Sequence, residues 1–398
     1  MIKSVSFNYF IIFSVIILST FLLSAIGLGR IATLFLIPLI FVWFFLSRPK
    51  ISAYIIKQKS IKNYVYFFIW ACVSIFYAEH TDAALVTQQK FLIVLLFSLA
   101  VMSYAIISIK NINLVYYAFI FSLIILIGFV FQSGIQLEME TRLEDGLLNA
   151  NSYGYYIFNG LFSSFIIYSQ LNKFKTLFLS ALILLIILSF YVVIVSASRG
   201  ALIILTILVI FSFFILYYYS VKTKIKRLIV FVLFTVIGFF TISFAYSKYI
   251  KNTILMDRFF ELEETEGPRE FHMRKAIEIG FSNPIIGIGA GNYAKITKRI
   301  ETGSFSHNTY TEIFANYGLI GLILYLSFFT VVFNKIYKTV TSKSKVKLYL
   351  ILLYLILFLI YNIFYVTYLT AEFTSMLFVV FSHVLILHRT AVNSILSE

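Results

Sequence analysis

The chain has 398 residues, of which 61% are hydrophobic, 19% aromatic and only 12% charged, with four prolines and a mean hydropathy of +0.95. That balance excludes a soluble globular protein and defines an integral membrane protein. The net charge of +15 gathers in short segments between apolar runs, so it reads as membrane topology and gives no reason to invoke a nucleic-acid partner.

Apolar runs long enough to cross a bilayer of about 30 Å are predicted at 8–28, 31–47, 64–78, 91–108, 114–131, 153–170, 175–196, 200–220, 227–247, 317–334, 348–368 and 371–388. These runs are continuous rather than alternating. Backbone groups in lipid must be satisfied internally, so helices are required and a barrel is excluded. The expected fold is an all-α integral membrane protein of about twelve transmembrane helices, 1–398 forming one polytopic domain. The first helix resembles a signal peptide, but eleven more follow without a small-residue cleavage site, so it is expected to be retained.

With a cytoplasmic N-terminus, the inner segments carry Lys3, Arg48, Lys50, Lys57, Lys59, Lys62, Lys110, Lys173, Lys175, Lys222, Lys224, Lys226, Arg227, Lys335, Lys338, Lys343, Lys345, Lys347 and Arg389. That is 19 of 32 basic residues in short inner loops, the asymmetry the positive-inside rule demands. Every Asp and Glu except Glu398 then falls outside or at the outer membrane edge. Both termini are therefore expected to be cytoplasmic. The single cysteine, Cys72, lies inside a predicted helix and is read as a buried apolar thiol.

Three outward-facing stretches break the apolar pattern, and function is expected there. The first is acidic, Gln132 to Ser152. The second is the tight turn SASRGA, Ser196 to Ala201. The third, 248–316, is the largest polar stretch and lies between the ninth and tenth helices. Within it Pro268 to Phe281 reads as a helix, with proline at its start and charge on one face. The following PIIGIGAGNY is a Gly-rich tight turn. Its glycines 287, 289 and 291 follow no clear strand and no phosphate-binding lysine accompanies them, so a compact return toward the membrane is the expected use.

Arg199 sits between two apolar helices beside Ser198 and Gly200. Arginine at membrane depth faces a polar cavity or anion, or snorkels to headgroups. Arg269 and Arg274 open the loop helix, about 500° apart around its axis, so they point in different directions. Arg269 lies in the first turn, where the helix dipole disfavours a cation; pairing with Glu261, Glu263, Glu264 and Glu266 is the ordinary alternative. His307 precedes a helix expected to turn apolar near Tyr317, with Asn308, Thr311 and Glu312 at helical spacing as partners able to fix its tautomer. Asn308 and Glu312 could instead cap and start that helix. His80, His383 and His388 read as structural or solvated.

In order, SASRGA after a long apolar helix, an outer loop with an arginine about 18 residues before a Pro-x-x-Gly-x-Gly turn, and HNTYTEIFANYGLIGL resemble the O-antigen ligase and O-antigen polymerase superfamily. The resemblance implies a membrane glycosyltransferase of the bacterial inner membrane that takes glycan from undecaprenyl diphosphate on the periplasmic side, so that 248–316 becomes a periplasmic loop carrying part of the active site. It implies His307 as catalytic residue and Arg199 and Arg269 as diphosphate ligands; Ser198, Asn308 and Glu312, their neighbours in the sequence, are read as supporting residues. Family members often place a tryptophan a few residues after the loop arginine, where this chain has Arg269-Glu-Phe-His-Met-Arg274, so Arg274 is also a candidate. No cofactor is expected, and no aspartate pair suggests a metal. The implied partners are an undecaprenyl-diphosphate-linked oligosaccharide, an acceptor glycan and membrane lipid, with a chain-length regulator protein allowed. The expected activity is O-antigen polymerisation; ligation to lipid A core and protein O-glycosylation are the alternatives within the family. A transporter or flippase fits less well, because the sequence shows no clear halves and little charge deep in its spans.

Overall fold

A computed structural model of the chain describes residues 49–132, 150–171, 173, 175–196, 198–220, 268–298, 305–340 and 345–396. Its helices in chain order are α1 (Pro49–Ile56), α2 (Lys59–Val73), α3 (Thr81–Ala105), α4 (Ile109–Gln132), α5 (Ala150–Tyr168) and α6 (Lys175–Val195). They continue with α7 (Arg199–Ser220), α8 (Pro268–Ser282), α9 (Asn292–Lys298), α10 (Thr309–Thr339), α11 (Lys345–Tyr361) and α12 (Ala371–Leu396). Among the described residues there is no strand.

Among these residues six helices are long and apolar enough to cross a membrane: α3, α4, α6, α7, α10 and α12. Predicted runs 64–78, 153–170 and 348–368 fold as helix over most of their length, in α2, α5 and α11, the last ending at Tyr361 with 362–368 in turns; they are not among those six. The runs at 8–28, 31–47 and 227–247 lie outside the described residues. Boundaries move from expectation, most of all at two helix starts. Helix α3 begins at Thr81, ten residues before the apolar run at 91. Helix α10 begins at Thr309, well before the expected start near Tyr317.

The chain divides into two compact units. The first, among the described residues, holds α4 from Asn113, α5, α6, α7 and α11 to Leu357. There α5 lies against α6 and α7, and Tyr354 stacks on Phe158 and donates to Asn159 Oδ1 at 3.0 Å.

The second unit holds α1 to α3, α8 to α10 and α12. Helix α10 runs along α2, α12 along α3, and α8 covers the start of α10. Its centre is aromatic: the buried Tyr64 ring meets Phe67, Phe91, Phe328 and Phe378 edge-on at 5.2–6.1 Å. Such edge-to-face contacts add to area burial and fix α2, α3, α10 and α12 as one frame.

That frame holds a broken helix. Gly318 interrupts α10 with φ 64° and ψ −166°, a conformation open to glycine and strained for other residues. A break inside an apolar helix strands backbone groups that must be satisfied. The Gly-rich turn does this reciprocally: Leu319 and Ile320 N–H donate to the carbonyls of Pro284 and Ile285 at 2.8 and 3.3 Å, while Ile288 and Gly289 N–H donate to those of Ala315 and Asn316, each at 2.9 Å. The Trp70 indole donates to the Tyr317 carbonyl at 3.0 Å. The tight turn expected of PIIGIGAGNY is therefore present, interlocked with the helix break.

Candidate active site

The second unit assembles a polar cluster around the start of α10. Helix α8 opens at Pro268, whose missing N–H costs nothing at a first helical position, with Glu270 in the first turn. Arg269, His272, Ala276 and Gly280 recur at helical spacing; the last three are buried and Arg269 is half-buried at the edge of that face. Arg269 lies close enough to Tyr361 to act on it electrostatically. Two residues of the neighbouring turn, Asn362 and Tyr365, accept from Thr309 through their carbonyls, the backbone N–H giving 2.8 Å to Asn362 and the hydroxyl 2.6 Å to Tyr365. Arg269 and the start of α10 thus converge on the same turn.

Arg274 is placed differently. It is exposed, pairs with Glu278 at 2.9 Å and lies over the Phe271 ring. Lys275, at 3.0 Å, is the main reason the Glu278 carboxyl is held below its usual range, with Arg274 adding to it. The Glu261 to Glu266 partners considered for Arg269 lie outside the described residues.

His307 stands in the turn before α10 with φ 57°, the one non-glycine of positive φ among the described residues. A side chain in that region is strained by about 1–3 kcal/mol and such residues cluster at functional sites. Its ring lies 6.3 Å from that of His272, the planes at 61°. His272 is buried, and the Tyr293 hydroxyl donates to the His272 carbonyl at 2.7 Å and lies 3.4 Å from its Nδ1. Burial above all, and the Glu312 carboxyl second, push the Tyr293 phenol up, so it remains a donor. Tyr293 N–H donates in turn to Asn316 Oδ1 at 3.1 Å.

Asn308 and Glu312 take the capping alternative. Asn308 is the N-cap of α10, its Oδ1 accepting from Tyr310 and Thr311 N–H at 2.9 and 3.1 Å. Glu312, 3% exposed, reaches back to accept from Ser306 N–H at 2.9 Å and lies 3.0 Å from its hydroxyl. A buried carboxyl needs such donors. The loop around His307 is thereby closed from both sides, and His307 stands outside the helix rather than on it.

Ser198 and Arg199 belong to the first unit. Ser198 is buried, its carbonyl accepting from Leu202 N–H at 3.1 Å, and Arg199, half-buried, begins α7. The structure therefore brings together Arg269, His307, Asn308 and Glu312 in one unit, with Arg274 on its exposed face. His272, Tyr293, Ser306 and Asn316 were not singled out from the sequence. The spacing of three between Arg269 and His272 was the signal available for one of them.

Among the described residues, fold and cluster give an all-helical membrane protein with a polar, histidine-bearing cluster at the head of a broken helix. Residues 183–326 match the family model described as O-Antigen ligase, a stretch that contains all three motifs and every candidate site residue. No curated protein matches the chain.

Proposed function

We propose that the protein is a glycosyltransferase that takes glycan from an undecaprenyl diphosphate donor at the periplasmic face of the inner membrane and passes it to the terminal sugar of a second lipid-linked repeat unit, as an O-antigen polymerase. The observation that supports this most is that the family match at 183–326 encloses Arg199, Arg269 and a strained, loop-held His307. In this reading the acceptor hydroxyl oxygen attacks the anomeric carbon and its proton passes to the His307 imidazole as general base. The anomeric carbon–oxygen bond to the diphosphate breaks, the diphosphate leaving with the electron pair, and direct displacement inverts the anomeric configuration. Arg199 and Arg269 serve as cations for the leaving diphosphate, since guanidinium groups bind phosphate oxygens in bidentate fashion and stay charged. The reaction needs no cofactor and no metal.

Ligation to lipid A core is the second reading, favoured by the description of the matching family, O-Antigen ligase. A strain lacking the gene distinguishes the two on a lipopolysaccharide gel with a count of lipid-linked glycan. Cores bearing a single repeat mean polymerase; bare cores with polymer stranded on undecaprenyl diphosphate mean ligase. An unchanged ladder would count against both, and protein glycosylation would then be the acceptor chemistry to test.

A further inference from the structure

The exposed face of α8 changes character along its length. Glu270, Arg274 and Glu278 lie on it in the first three turns, and Phe281 continues the same stripe at the C-terminal end. Past the helix exposed apolar side chains recur in the turn, with Ser282, Asn283 and Pro284 also exposed between them: Phe281, Ile285 and Ile286 are 71%, 63% and 40% exposed. From Glu270 to Phe281 the helix rises about 16 Å, so the charged stripe gives way to large exposed apolar side chains within roughly half a bilayer core.

The apolar end does not stand alone. The carbonyls of Pro284 and Ile285 are hydrogen-bonded to Leu319 and Ile320 at the Gly318 break. Leu319 begins a stripe at i, i+4 and i+7, with Leu319, Ile323 and Leu326 exposed on a helix long and apolar enough to span a membrane. On such a helix in a bilayer that stripe would face acyl chains. Phe281, Ile285 and Ile286 extend the same surface sideways from the helix break.

We infer that Phe281 to Ile286 is a membrane-inserted wedge, its side chains covered by lipid acyl chains, while the Glu270 end of α8 stands in water. Exposed apolar patches mark interaction surfaces. Continuity with the outer face of α10 selects lipid as the occupant over a second protein chain. The wedge would dip the C-terminal end of α8 into the bilayer and pin the Gly-rich turn at the depth of the helix break. Arg274 and Glu278, exposed along the same stripe, would then sit at the boundary between water and headgroups.

Because Cys72 is the single cysteine, a C72S background allows one label at a time. Bimane would be attached to E270C, F281C, I285C and I323C in full-length protein reconstituted into phosphatidylcholine and phosphatidylglycerol vesicles, with quenching read from lipids brominated along the acyl chain and from aqueous iodide. The expected result is lipid quenching at 281, 285 and 323, iodide quenching at 270, and blue-shifted emission at the first three. Iodide quenching at 281 and 285 with lipid quenching at 323 would overturn the wedge. Shielding of 281 and 285 from both quenchers would overturn it in favour of a protein partner on this face. Absence of lipid quenching at 323 would remove the lipid-facing surface on which it rests.

Discussion

The imidazole of His307 meets that of His272 edge to face, with ring centroids 6.3 Å apart and planes at 61°. His307 comes from the turn before α10 and His272 from the buried face of α8, so this contact joins two elements that the sequence separates by more than thirty residues. Its effect is to give a strained, half-exposed ring a rigid neighbour. The proposed base then requires His307 for chemistry and His272 for position.

Replacing His307 separates chemistry from strain if asparagine is used. Asparagine tolerates positive φ better than most residues, so His307→Asn keeps the loop but removes the base. Transfer from a lipid-linked donor in proteoliposomes is expected to fall about 100- to 10,000-fold, with the melting temperature close to that of the native protein. Native-like activity would remove His307 from the reaction.

For His272 the expected signature is a split between kcat and KM. His272→Ala takes away the neighbouring ring and lowers kcat about tenfold or more, since small misplacements of a reacting group are costly, with little change in KM. His272→Phe restores the edge-to-face partner and most of kcat. Equal losses for both variants would mean that the imidazole nitrogens themselves matter.

The two loop arginines make opposite predictions. Arg269 is half-buried and faces the turn at Tyr361, whereas Arg274 is exposed and engaged by Glu278. The Glu278 carboxyl, lowered first by its hydrogen bond from Lys275, is ionised at any pH above the ordinary carboxylate value of about 4.3; its pairing is lost only as pH falls through its depressed value. Arg274 is thus occupied across the working range. Arg269→Ala is expected to cost about 100- to 1000-fold in kcat, the scale of losing one preorganised donor to a developing charge, and Arg274→Ala only a few fold. Steady-state rates at saturating donor decide between them; the reverse ranking would reassign the diphosphate ligand to Arg274.

Much of this arrangement was legible because it is local. Proline at a first helical position and charge at helical spacing are enough to read α8, expected at Pro268–Phe281 and found at Pro268–Ser282. The glycines of PIIGIGAGNY signal a turn, and 287, 289 and 291 all take positive φ. Other features depend on partners far along the chain. YGLIGL reads as uninterrupted apolar helix because nothing in it shows that carbonyls of Pro284 and Ile285 will satisfy the N–H groups freed at Gly318. Helix α3 starts early, across TDAALVTQQK, where Asp82 pairs with Lys295 at 3.1 Å and His80 N–H donates to Asn292; hydropathy does not register such contacts. Asn308 illustrates a third case, in which two local readings competed and the N-cap hydrogen bonds decided the outcome.

The cap and the reach-back carboxyl can be tested through stability. Asn308→Ala is expected to destabilise the second unit by about 1 kcal/mol, the usual cost of an N-cap. Glu312→Gln keeps an oxygen to accept from Ser306 N–H and is expected to be mild, whereas Glu312→Ala strands that buried donor at about 1–3 kcal/mol. Thermal unfolding in detergent micelles ranks the three. A Glu312→Gln variant as unstable as Glu312→Ala would show that the charge, and not the acceptor, holds the loop.

Gly318 is where fold and site depend on each other most directly. A Cβ at this position would run into the Ile285 carbonyl and the Ile286 nitrogen, and φ 64° with ψ −166° lies where non-glycine residues cost roughly 1–3 kcal/mol. Gly318→Ala therefore adds strain to a clash with backbone, which cannot rotate away as a side chain can. Two responses are open to the chain: α10 straightens through the break, or the Gly-rich turn moves off it. Either one releases the carbonyls of Ala315 and Asn316 from Ile288 and Gly289 and loosens Asn316, which holds Tyr293 and through it His272. The expected outcome is a protein that still inserts but loses protection from hydrogen exchange at Ile288, Gly289 and Leu319, and whose kcat falls together with that protection. Gly128→Ala, where an added Cβ would meet nothing within 4 Å, leaves those inter-element hydrogen bonds in place and is expected to preserve the exchange pattern. If Gly318→Ala retained both protection and rate, the break would be a packing accident and the link from helix α10 to the His272 and His307 pair would have to run by another route.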